Sequence, residues 1–289
     1  MATYFKSIVN PNTQMTASLH ETISSVRDAF ISCGFTRTVQ SGSLDNITTL
    51  IPLAATNQQY TYDVFAFNDA WQATNPLFIK VRYMSGVGIT TVNLFCQMGT
   101  AHNSTGSFTG IDTLTEITNP GTSTVTVVSG SSIHGCGDGS FMTLAVFPQM
   151  STGQFFVFER LYTTTGQPTG SGFHMIGTDG SGGASKNLYS QTALYGSAAA
   201  SRESGFIPNS KSSRSPSLYD GRFVAGLIYP FAGRPFNPTP NILVAFSTDV
   251  TTTLQDLRYT MYGAEQQYIN LGSNLSFLYN NGRFLLRNT

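Results

Sequence analysis

Tyr60-Thr61-Tyr62-Asp63-Val64-Phe65-Ala66-Phe67 is a run dominated by aromatic and β-branched residues, and Asn68-Asp69 punctuates its far end. On an extended chain Tyr60, Tyr62 and Val64 fall on one face, while Phe65 and Phe67 fall on the other. A strand that is apolar on both faces is covered on both sides. Phe155 to Phe158 repeats the pattern as an unbroken apolar run. A sandwich satisfies this pattern, and so does a sheet packed against neighbouring subunits.

Working outward, short runs of the same kind recur between Gly, Asn and Pro punctuation. Strands are predicted at 77–83, 91–98, 123–128, 142–147, 155–162, 172–177, 188–194, 222–229, 242–247 and 257–262. A hairpin is predicted over 275–286, because Asn281-Gly282 is the signal for a type I′ turn. Gly86-Val87-Gly88 and Ser151-Thr152-Gly153 read as two further hairpin turns. No repeat of 40 to 50 residues is present, so a propeller is disfavoured. The predicted fold is mainly β, with antiparallel sheets in a sandwich or jelly-roll-like arrangement.

One amphipathic helix precedes the strands, predicted from about Ser18 to Cys33. Ser18 and Glu21 have the spacing of a capping box. Leu19, Ile23, Val26 and Phe30 share one face, and Gly34 follows as a residue able to take the left-handed conformation that ends a helix. Phe35 is expected to fold back onto Ile31, and the helix to lie on an outer face of the sheet.

Three parts follow from this pattern. Residues 1–165 read as the helix plus a β docking lobe, and 166–217 as long Gly/Ser-rich loops, including a glycine-dense arm from Gly166 to Asn187. Residues 218–289 read as strands that complete the same sandwich or form a second lobe.

Composition narrows the function. The 289 residues carry fifteen basic and fifteen acidic side chains, and charged residues make up 10%, against about 25% in an average globular protein. Thr, Ser and Asn supply nearly a third of the chain instead. Balanced charge offers no field to draw the protein onto nucleic acid or an anionic membrane. The longest apolar run, Phe223 to Ala232, is interrupted by Gly226 and Pro230 and falls short of the roughly 20 residues of a membrane-spanning helix. The first residues lack a secretion signal, and Cys33, Cys96 and Cys136 do not form a disulfide pattern. The expectation is a protein made in a cytoplasm with reduced thiols. A neutral polar surface suits large permanent contacts, which points to a homo-oligomer.

Groups that could carry chemistry are sparse. His20, His102, His134 and His174 fall in no metal-binding spacing. His134-Gly135-Cys136-Gly137-Asp138 places three possible ligands at alternate positions, but its glycines read as a tight turn before the Met142 strand. The glycines from Asp179 to Gly183 lack the Lys-Ser/Thr of a phosphate loop. No catalytic residue, metal or cofactor site is assigned, and no pair of carboxylates suggests a glycoside hydrolase. Arg202, Lys211 and Arg214 are candidates for contacts between subunits. Trp71, beside Asp69 and with Tyr60 on the preceding strand, is the candidate for contact with a glycan or partner.

The stretch from Tyr62 through Asn68-Asp69-Ala70-Trp71 to Asn75-Pro76-Leu77-Phe78-Ile79-Lys80 and Tyr83 resembles a segment common in virion proteins of tailed bacteriophages. There a strand ending in Asn-Asp is followed by one of the Pro-Leu-Phe-Ile-Lys type. The helix closing in Cys33-Gly34-Phe35-Thr36 is similar to the region that precedes it, so the resemblance covers about residues 15 to 100. It implies a non-enzymatic structural component of a virion, made in the host bacterial cytoplasm and associated with the tail at the baseplate, an adaptor or a fibre attachment. Its partners would be other virion proteins, in trimeric or sixfold-related copies. The alternatives are a capsid decoration or cement protein, and a receptor-binding module that recognises host surface glycans.

Overall fold

The computed structural model describes residues 3–9, 15–39, 41–42, 59–85, 92–103, 108–109, 125–127, 130–147, 154–163, 165–178, 187–192, 224–228, 239–246, 256–261, 264–270 and 282–287. In chain order they form β1 (Thr3–Ile8), α1 (Met15–Ser32), β2 (Thr36–Arg37), β3 (Gln59–Ala66), β4 (Phe78–Ser85) and β5 (Val92–Gly99). The short strands β6 (Ala101–His102), β7 (Phe108–Thr109) and β8 (Val125–Val127) follow. Next come β9 (Ser132–Gly137), β10 (Phe141–Phe147), β11 (Gln154–Tyr162), β12 (Pro168–Thr178) and β13 (Asn187–Thr192). The last are β14 (Val224–Ile228), β15 (Thr239–Phe246), β16 (Asp256–Met261), β17 (Ala264–Asn270) and β18 (Gly282–Arg287). The fold is mainly β, and among the described residues there is one helix and every strand pairing is antiparallel.

Two sheets share the main core. The first runs β1-β9-β10-β11-β12-β13 and the second β2-β3-β4-β5-β8. Met142, Leu144, Val146, Phe156 and Phe158 of the first sheet belong to one buried cluster with Phe65, Ile79, Val81 and Leu94 of the second. Thr143, Ala145 and Val157, which alternate with these residues, are buried as well. The central strands of the first sheet are thus covered on both faces, as their continuous apolar runs require.

The helix is wedged between the two sheets, which corrects the outer-face placement. Ile23, Val26, Ala29, Phe30 and Cys33 enter the shared cluster. Phe30 stacks on Phe65 of β3, with ring centroids 4.3 Å apart and planes 6° from parallel. On the other side, Ser25 shares a 2.9 Å hydrogen bond with Ser7 of β1. A helix with this much of its circumference buried joins two layers rather than covering one.

The ends of α1 differ from expectation in one respect each. It begins at Met15, so Ser18 lies inside the first turn and is not its cap. At the other end Gly34 has φ of +87°. The Phe35 amide donates to the Phe30 carbonyl and the Gly34 amide to that of Ile31, both at 3.0 Å. This is the Schellman closure. Its apolar contact joins Phe35 to Phe30, with centroids 5.6 Å apart, and not to Ile31, which is 51% exposed.

The segment around His134 is a strand and not a loop, and its glycines explain the error. A β-carbon on Gly135 would lie 3.1 Å from that of Ala29, and one on Gly137 would lie 3.0 Å from that of Cys33 and 2.5 Å from the Phe141 carbonyl oxygen. Both glycines admit the helix against β9. The expected turn is Asp138-Gly139-Ser140, with Gly139 at φ +86°. There the Asp138 carboxylate accepts from the Ser140 amide at 3.1 Å.

Later regions differ in similar ways. The arm expected from Gly166 to Asn187 contains β12, which pairs with β11 and β13. Residues 179–186 and 193–223 lie outside the described residues. Among the described residues the strands β14 to β18 pair with one another, in the order β14-β15-β18-β17-β16. Leu285 and Leu286 of β18 pair with β15 on one side and β17 on the other. The first arm of the hairpin expected at Asn281-Gly282 lies outside the described residues, as do the turns at 86–88 and 151–153. The strand pairs β4–β5 and β10–β11 that those two turns would join are present.

Candidate functional site

The loop 68–76, between β3 and β4, is held more tightly than its composition suggests. It leaves β3 through an Asx turn, in which the Trp71 amide donates to the Asp69 carboxylate at 3.0 Å. The Trp71 carbonyl accepts from the Asn75 amide at 2.7 Å and the Thr74 amide at 3.1 Å. Gln72 then imitates a strand partner: its side-chain amide donates to the Leu77 carbonyl at 3.1 Å and its oxygen accepts from the Leu77 amide at 3.0 Å.

Arg160 of β11 clamps this loop to the first sheet. Its Nε donates to Asp69 Oδ2 at 2.7 Å and its Nη2 to Oδ1 at 3.1 Å, a two-point pair. Nη1 donates to the Asn75 carbonyl, and Nη2 reaches Gln72 Oε1 at 3.3 Å. The guanidinium lies over the Phe67 ring, 5.6 Å from its centroid. The Arg160 side chain is wholly buried and Asp69 retains 10% exposure. A guanidinium is tolerated at this depth because its donors are matched to acceptors.

Two other turns meet the loop. The Asn68 amide donates to the Gly139 carbonyl at 2.9 Å, and a β-carbon on Gly34 would lie 3.2 Å from the Asp138 carbonyl carbon. One end of the sandwich therefore gathers the loop, the β9–β10 turn and the C-terminus of α1. Tyr162 adjoins them, its hydroxyl pKa raised by burial and then by the Asp69 carboxylate. Trp71 is half-buried. Among the described residues its indole makes neither a ring stack nor a hydrogen bond.

Of the three residues nominated for ligand contact, the structure keeps Asp69 and Trp71 together in one turn and places Tyr60 away from them. Asp69 serves as the anchor of the loop, with both carboxylate oxygens committed. Tyr60 sits at the opposite end of β3 and packs against the core, about 20 Å along the strand from its Asn68 end. Trp71 remains at the exposed end. Arg202, Lys211 and Arg214 lie outside the described residues. Sequence reading missed Arg160, Gln72 and Tyr162. The available signal was Arg160 itself, a cation on an apolar strand that requires a buried acceptor.

A second ionic centre also escaped the sequence. Asp63, wholly buried on β3, accepts from Arg27 Nε and Arg37 Nε, each at 2.7 Å, and from the Tyr83 hydroxyl at 3.0 Å. It ties α1 to the second sheet and joins the edge strand β2 to β3 and β4 within it. Burial and then the Asp63 charge hold the Tyr83 hydroxyl well above its ordinary pKa. The Asp63 carboxylate is wholly buried and shared among these three donors.

The His134 cluster is structural too. His134 Nδ1 shares a 2.6 Å hydrogen bond with the Tyr4 hydroxyl, and Nε2 one of 3.0 Å with Ser132 Oγ. Burial, helped by the neighbouring Lys6 charge, lowers its pKa to about 4. Burial pushes the Cys33 thiol up to about 12, which favours its neutral form at neutral pH. Among the described residues no three His, Cys, Asp or Glu side chains converge as metal ligands, and no helix is long and apolar enough to cross a membrane. No known protein family and no curated protein matches the chain.

Proposed function

We propose that the chain is a non-enzymatic structural component of a tailed-phage virion, associated with the tail and acting by assembly with copies of itself and other virion proteins. The observation that carries this reading is the use of ionisable groups. Asp63, Arg160 and His134 are each buried, and Asp69 nearly so, against partners that join separate elements, while the chain as a whole draws its polarity from hydroxyl and amide groups. Such chemistry favours rigid parts with neutral, hydrogen-bonding surfaces, suited to permanent contacts. The segment that resembles tailed-phage virion proteins coincides with β3, the clamped loop and β4. That resemblance directs the reading to a particle, and the symmetry of a tail to trimeric or sixfold-related copies.

Quantitative mass spectrometry of purified particles, with heads and tails gently dissociated, tests the proposal. A low multiple of three or six copies travelling with tails is the expected result. Hundreds of copies travelling with heads would replace it with a decoration or cement role, and absence from the particles would overturn both.

A further inference from the structure

We infer that β1 is an acid-operated latch: protonation of His134 releases this strand from β9 while the rest of the sandwich stays folded. β1 lies at one edge of the first sheet and pairs with β9 from Thr3↔Gly137 to Ile8↔Ser132. It is lightly packed. Thr3, Lys6 and Ile8 are exposed, and Tyr4, Phe5 and Ser7 are half-buried, whereas Met142 through Val146 of β10 are all buried. A strand held by few buried apolar side chains opens at a lower free energy than the whole domain. Two further ties across α1 are polar, Ser7 with Ser25 at 2.9 Å and the Cys33 thiol with the Thr3 carbonyl at 3.4 Å.

What β1 covers is an imidazole. The Tyr4 ring lies 6.0 Å from that of His134 and its hydroxyl shares the 2.6 Å bond with Nδ1, while Lys6 is the direct cross-strand partner of His134. On the other side the partner is Ala145 of β10, which carries no charge. Along β9 itself Ser132 meets Nε2, and Cys136 follows on the same face. The helix packs on the opposite face of β9, where a β-carbon on Gly135 would meet Ala29, so its ionisable side chains do not face the ring. Among the described residues the charge beside His134 is therefore a cation, and β1 supplies it. A second positive charge on this buried ring is disfavoured both by loss of water and by Lys6, and peeling β1 away relieves both at once. The ring titrates at about 4 in the closed form against its ordinary 6.5. Opening is therefore favoured progressively as pH falls from 6.5 to 4, by roughly 300-fold in all. Once β1 leaves, β9 becomes the edge of the sheet, with ladder groups able to pair with another strand. The latch holds whether or not the chain belongs to a tail, so copy number in particles and strand release fail independently.

Amide hydrogen exchange of the full chain at pH 7, 5.5 and 4.5, expressed as protection relative to the free-peptide rate at each pH, tests the latch. The amides of β1 should be about tenfold or more less protected than those of β10 and β11 at every pH, the mark of a strand that opens separately. Between pH 7 and 4.5 their protection should fall by about 50-fold. His134→Gln should keep the gap between the strands and remove the acid response. Lys6→Gln, at an exposed position, leaves the fold intact and should shrink the response by taking away the repulsion. Equal protection of β1, β10 and β11 would mean a single cooperative unit and overturn the latch. So would β1 protection that is constant down to pH 4.5, or an acid response undiminished in His134→Gln or in Lys6→Gln.

Discussion

Asp63 and Asp69 lie six residues apart, and each is held at 2.7 Å by arginine, yet they serve different regions. Asp63 belongs to the seam where α1, β2 and β3 meet, wholly buried beneath Arg27, Arg37 and Tyr83. Asp69 belongs to the end of the sandwich, partly exposed and gripped by Arg160 alone among the arginines. The difference teaches that one chemistry performs two tasks according to depth. In the seam an ion pair makes the layers cohere, and at the end it makes a loop rigid.

The comparison is sharpened most by removing the seam carboxylate. Asp63→Ala should lower the unfolding free energy by about 4 kcal/mol, because two guanidinium groups lose the acceptor they share. Urea unfolding measures this, and a loss below about 1 kcal/mol would place the cohesion of the seam in its apolar contacts.

Next in size is the effect of acid on the β1–β9 side. His134 has a folded pKa of about 4 against its ordinary 6.5. Between these values the unfolded chain binds more protons than the folded one, so stability is full above pH 6.5 and falls as pH drops toward 4. The total loss attributable to His134 is about 3 kcal/mol. Unfolding measured across that range should show the slope, and His134→Gln should flatten it.

Arg160→Met is the matching change at the end of the sandwich, and it should cost about 2 kcal/mol. Its signature is local: amide exchange should accelerate across 68–76 while the α1 amides stay protected. Equal acceleration in both regions would erase the distinction between a seam and a clamp. The smallest effect is expected from Gly137→Ala, which should cost about 1 to 2 kcal/mol by pressing β9 away from Cys33 and the Phe141 carbonyl. Thermal unfolding reads it, and an unchanged melting temperature would mean that the β9–β10 turn and the helix both shift freely.

Much of the fold was legible from local pattern. Gly34 was readable as the end of α1 because the left-handed conformation is a property of one residue, and β3, β4, β10 and β11 were readable because a short apolar, β-branched and aromatic run is a property of a few neighbours. Reading failed where the reason for a residue lay elsewhere in the chain. Gly135 and Gly137 resemble loop glycines until α1 is placed against them. The partner of Phe35 was displaced by one residue, from Ile31 to Phe30, because the helix had to turn Phe30 toward Phe65. In the candidate site Trp71 was legible as an isolated aromatic in a turn, whereas the tie of Asp69 to Arg160 was not, because the two lie on segments far apart in the chain.

By itself the sequence determined that this chain is mainly β, where its helix stops, which strand residues are apolar, and that charge is scarce. These follow from backbone preference and periodicity, which act over a few residues. The tertiary structure alone decided that the helix lies between the sheets, that Asp63 joins Arg27 and Arg37, and that Asp69 is clamped by an arginine 91 residues away. Such choices depend on burial and close approach between distant segments, where a charge must find its counter-charge or remain at the surface.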